Sequence, residues 1–127
     1  MDSAAVEIAE RRCTELLDHT SNYMESHNTI GLLRAELGRY DDAIVSYRKA
    51  LAIKPRAAIV YLHLSAAQAR KGETSEAENS ILRAVEFADP DVSQVTIAKA
   101  YVILGESYTT TKDNERARAA FEEALRF

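Results

Sequence analysis

Between Ile30 and Pro55 the apolar positions form two helical stripes joined by a short polar turn. Ile30 and Leu37 mark the first; Ala43, Ile44, Tyr47, Ala50 and Leu51 recur at helical spacing on the second. The turn falls at Gly38, Arg39 and Tyr40, where glycine takes a left-handed backbone without a Cβ penalty. Asp41 and Asp42 then suit the positive end of the next helix. Lys54 and Pro55 stop it, because the residue before a proline resists the α conformation. Gly31 sits inside the first helix at a cost of about 1 kcal/mol relative to alanine. Helices packed at about 8–10 Å need small side chains where they cross, and Gly31, Ala43 and Ala50 are expected to supply that crossing.

The same pattern recurs down the chain. Moving Ile30, Gly31, Gly38, Ala43, Tyr47, Ala50 and Leu51 by 34 residues lands on Leu64, Ser65, Gly72, Ala77, Ile81, Ala84 and Val85. A further 40 takes Tyr61, Leu64, Ser65, Ala77, Ile81, Ala84 and Val85 to Tyr101, Leu104, Gly105, Ala117, Phe121, Ala124 and Leu125. Such a period belongs to a stacked helix–turn–helix array. One domain of about seven helices over 1–127 is expected: a lone helix at 4–20, then repeats at 24–57, 58–90 and 91–127. The lone helix carries Val6, Ala9, Cys13, Leu16 and Leu17 on one side, in phase with the second helix of a repeat. Asn22 with Glu25, and Asp91 with Gln94, read as capping boxes. The six extra residues of the third repeat predict a lengthened first helix starting near Val92. Lys112 stands where the other copies have glycine, and a last helix over 115–126 leaves Leu125 and Phe127 facing solvent.

The run Leu37, Gly38, Tyr40, Ala43, Tyr47, Ala50, Leu51 and Pro55 resembles the tetratricopeptide repeat, as does the run Tyr101, Leu104, Gly105, Tyr108, Ala117, Phe121, Ala124 and Leu125. The middle copy departs from it, with Thr74 at an aromatic position and Ser65 at a glycine position. The resemblance covers roughly residues 24–127. It implies an all-α, right-handed solenoid of helical hairpins whose first helices line a concave groove. It also implies a protein-interaction module, an adaptor, scaffold or chaperone-like protein, that binds an extended peptide or a single helix there.

Composition narrows this further. Net charge is −4, and acids and bases are mixed along the chain; no clustered basic face is offered to nucleic acid. No run approaches the about 18 apolar residues of a membrane span. The acids and arginines in the first twelve residues do not read as a signal peptide. A single cysteine, Cys13, excludes an internal disulfide and fits a reducing compartment, so a cytoplasmic protein is expected. Catalysis, cofactor and metal are not expected. His19, His27 and His63 are dispersed, and neither a phosphate loop nor a nucleophile motif occurs. The pairs Glu76/Glu78 and Glu122/Glu123 on second helices read as a solvated face.

The candidate groove residues are those of the first helices that face away from their own partner helix. They are Asn28, Leu32 and Ala35 in the first repeat, and Ile59, Leu62, His63, Ala66 and Arg70 in the second. In the third they are Lys99, Val102, Ile103 and Glu106. The centre of this set is apolar, as an interaction surface would be and as a closed core would also be. Domains of this family that grip heat-shock chaperone tails use paired cations and asparagines. The matching positions hold Asn28, Leu32, His63, Lys99 and Ile103, of which only Lys99 fits, so that partner is rejected. The rival class is self-assembly, a homo-oligomer formed through Phe121, Leu125 and Phe127.

Overall fold

In a computed structural model the described residues are 3–19 (side chains to residue 15), 23–90 and 92–127. They hold seven helices and no strand: α1 Ser3–His19, α2 Met24–Glu36, α3 Tyr40–Ile53, α4 Ala58–Lys71, α5 Thr74–Phe87, α6 Gln94–Thr110 and α7 Asn114–Ala124. The chain divides into two compact units, Met1–Pro55 and Arg56–Phe127.

In the first unit α1 packs on α2, and α2 on α3. Val6, Met24, Ile30, Ala43, Ile44, Tyr47 and Ala50 are its buried apolar residues. The small residues do what close packing requires. A methyl group built on Gly31 would clash with the Tyr47 ring, so α2 meets the aromatic side chain of α3 with bare backbone. Gly38 has φ 76°, in the left-handed region that closes the helix. In the second unit α4 packs on α5 and α6, and α6 on α5 and α7. Ala77, Ile81 and Ala84 are fully buried in a core shared with Tyr101, Leu104 and Tyr108. Gly105 repeats the device of Gly31, with the Phe121 ring where its Cβ would stand. Gly72 turns at φ 95° and Lys112, in the corresponding place, at φ 63°.

Several helix ends differ from the sequence expectation. The Asn22 and Asp91 halves of the two capping boxes, and the side chains of Leu16, Leu17 and His19, lie outside the described residues. Tyr23 is the N-cap of α2, with φ −96° and ψ 122°, and gives no side-chain cap. α6 starts at Gln94 rather than near Val92, because Ser93 takes the N-cap and its hydroxyl accepts from the Val95 N–H at 3.2 Å. It still runs for 17 residues against 13 in α2 and 14 in α4. α7 is capped by Asp113, whose carboxylate accepts from the Arg116 N–H, and ends at Ala124, two residues earlier than expected.

Candidate functional site

The first helices of the second unit, α4 and α6, pack side by side. Ser107 ties them together: its hydroxyl donates to the Ala69 carbonyl at 2.7 Å. Positions 99, 102, 103 and 106 follow helical spacing on α6, so one side of that helix carries all four. Val102 keeps 37% of its surface, Lys99 and Glu106 are exposed, and Ile103 is half-buried against the core. On α4, Ile59, His63 and Ala66 are half-buried and Arg70 is exposed. Arg70, Ile103 and Glu106 come together in one shallow cleft of about 400 Å³, whose rim includes Lys71 and Thr110. Burial lowers the pKa of His63 from 6.5, so the neutral imidazole is the resident form near neutral pH.

Leu62 does not belong to this surface. It is 2% exposed and sits in the core cluster with Ala69, Ile81 and Ile97. On a helix with partners on two sides, the stripe that looks outward from one partner is buried by the other. In the first unit Leu32 is 38% exposed on α2, and Asn28 is half-buried one turn before it. The three residues expected to drive self-association also differ among themselves. Leu125 is 86% exposed, Phe121 37% and Phe127 39%, the last with one side of its ring stacked on Tyr101 at 5.9 Å between centroids.

Two polar features escaped sequence reasoning. Arg34 donates to Ser46 at 2.7 Å between α2 and α3, and its Nε donates to Glu10 of α1 at 3.1 Å. Glu10 also accepts from Arg39 at 3.3 Å, so one carboxylate pins α1 to the hairpin below it. The equivalent pair in the second repeat is Gln68 and Ser80, buried, with the Ser80 hydroxyl donating at 2.6 Å. Arg34 and Ser46 map onto Gln68 and Ser80 under the 34-residue shift, so the repeat itself carried that signal. The partner Glu10 carried none, lying 24 residues from Arg34. The other missed feature is a cleft of about 690 Å³ between α5 and α7, lined by Glu78, Tyr101, Tyr108 and Glu123 among others. Among the described residues no three metal-ligating side chains gather, and no helix is long and apolar enough to cross a membrane.

Comparison with known proteins gives the family context. A model described as TPR repeat matches residues 20–72, and one described as tetratricopeptide repeat matches residues 98–127. The stretch 73–97 between them holds the second half of the middle copy, where Thr74 replaces the aromatic, and the start of the third. The crystal structure of MamA superposes with a TM-score of 0.76 at 25% identity, covering 94% of this chain and 67% of that one. A second MamA structure gives 0.76 at 24% identity, covering 96% and 63%. A mutant of the Thermobaculum terrenum O-GlcNAc transferase gives 0.70 at 28% identity, covering 81% of this chain and 19% of that one. The chain thus spans about two thirds of the MamA chains and about a fifth of the transferase. No curated protein sequence matches it.

Proposed function

This chain belongs to the tetratricopeptide-repeat family, and from that premise we propose that it is a non-catalytic adaptor that holds a peptide or helix of a protein partner on its first helices. Helical-repeat modules of this kind serve as interaction scaffolds. One observation carries the finer reading: Val102 and Ile103 form a partly exposed apolar strip on α6, flanked by Lys99, Glu106 and, on α4, Arg70. Apolar surface gives such an interface its binding energy, and the surrounding charges select the partner and its register. The cytoplasm is the compartment that fits the single cysteine.

The test is a pull-down from native lysate with the wild type and Val102→Glu. Because Val102 is 37% exposed, the variant should keep its far-UV circular dichroism and lose the captured partner. Unchanged capture would remove α6 from the site. Self-assembly is the second reading, favoured by the exposure of three apolar residues near the end of α7, Phe121 at 37%, Leu125 at 86% and Phe127 at 39%. A species that grows with concentration in sedimentation equilibrium, and becomes monomeric in Leu125→Glu, would support it. A concentration-independent monomer would eliminate it.

A further inference from the structure

We propose that the cleft between α5 and α7 is a second binding site, taking a lysine side chain presented by a protein partner. It lies on the opposite side of α6 from Val102, Ile103 and Glu106, since Tyr101, Leu104 and Tyr108 form its floor. Small residues leave the space open: Ala119 and Ala120 are all that α7 offers at its middle, and Leu82 of α5 stays 53% exposed.

The walls carry opposed carboxylates, Glu78 on α5 and Glu123 on α7. Tyr108 donates to Glu78 Oε2 at 2.9 Å and so fixes that carboxylate at the floor. Arg116, the cation of the lining, is shared between Asp113 at 3.5 Å and the Tyr108 hydroxyl, and Arg126 pairs with Glu123 at 2.7 Å. Three carboxylates thus meet two guanidiniums, and the remainder is negative. Burial raises the pKa of Tyr101, and the charges of Glu123 and Glu78 raise it further, against a smaller lowering by Arg126. Burial and then the bond to Glu78 raise that of Tyr108, against a smaller lowering by the charge and hydrogen bond of Arg116. Lysine fits this chemistry better than arginine does. Its four-carbon stem can lie along Leu82, Leu104 and Ala120 while its tip, a point charge, sits between separated carboxylates; a guanidinium fork matches a single carboxylate instead.

The test is a two-dimensional amide and tyrosine-ring NMR titration of the full chain with Nα-acetyl-lysine N-methylamide. The isosteric norleucine and the arginine derivatives serve as controls. Saturable shifts confined to the cleft residues are expected, with a dissociation constant on the order of millimolar, and weaker binding of both controls. Glu78→Gln, which can still accept from Tyr108, and Glu123→Gln should each weaken lysine binding about fivefold with circular dichroism unchanged. Val102→Glu should leave the titration as it is, which separates this site from the α4–α6 surface. Shifts that fail to saturate, that are equal for norleucine, or that persist unchanged in the two glutamine variants would overturn the assignment.

Discussion

Gly31 and Gly105 each lay bare helix backbone against an aromatic face, yet the two rings differ in their freedom to yield. A Cβ at Gly31 would stand 2.6 Å from Tyr47 Cδ1, and one at Gly105 would stand 2.7 Å from Phe121 Cδ1. Tyr47 is 1% exposed and has nowhere to go, whereas Phe121, at 37%, can swing outward. Alanine gains about 1 kcal/mol of helix propensity at either position, against about 1–3 kcal/mol for overpacking. Gly31→Ala should therefore lower the urea midpoint clearly, and Gly105→Ala should be close to neutral. His63 gives a second test at this level. Its folded pKa lies below the unfolded 6.5, so the unfolded chain binds a proton that the folded chain refuses. Its contribution to stability is complete above pH 6.5 and is lost as pH falls through the folded value. Urea melts at falling pH should show a decline that is shallower in His63→Gln. Leu62 shows what a helical wheel cannot resolve. Leu62→Glu would place a charge in the core of the second unit and unfold it rather than silence a binding surface. Spacing tells which residues share a stripe, and only the neighbours tell whether the stripe is covered.

The ends of the helices follow the same backbone logic in three places, with one exception in the side chain. Gly38, Gly72 and Lys112 all adopt positive φ, and a residue with a Cβ pays about 1–2 kcal/mol there. Lys112→Gly should raise the melting midpoint, the relief of strain being partly offset by the extra freedom glycine gives the unfolded chain. Gly72→Ala should lower the midpoint through backbone strain alone, because nothing lies within 4 Å of the position its Cβ would take. A thermal melt of the two variants beside the wild type measures both directions. These turns were legible in the sequence because glycine or its replacement recurs at a fixed interval. The N-caps were less so. Ser93 wins over earlier candidates through one bond of 3.2 Å that its hydroxyl oxygen accepts from the Val95 amide, a matter of local geometry that several neighbouring polar residues could have satisfied on paper. The Glu10 contacts with Arg34 and Arg39 were invisible for the opposite reason: they join segments far apart in sequence, with no periodicity to announce them.

Across the molecule, the sequence reads as one unbroken array, while the contacts gather into two units that meet in sequence at Pro55 and Arg56. The proline that stops α3 marks that point, and the period runs straight through it, because periodicity records the shape of each hairpin rather than the strength of its links. The core cluster of Leu62, Ile81, Ile97, Tyr101, Leu104 and Tyr108 is drawn wholly from residues after Arg56. It is closed by internal bonds such as Ser80 to Gln68 and Ser107 to Ala69. A segment with its own apolar core and satisfied polar groups has what independent folding requires, though small domains bury a smaller share of their surface and are marginal. Expressed alone, residues 56–127 should therefore be helical and melt cooperatively, at a lower temperature than the whole chain. Circular dichroism at 222 nm on heating is the measurement. A broad, featureless loss of signal would mean that this core needs the first unit to hold together, and that the repeat array is the smallest cooperative unit.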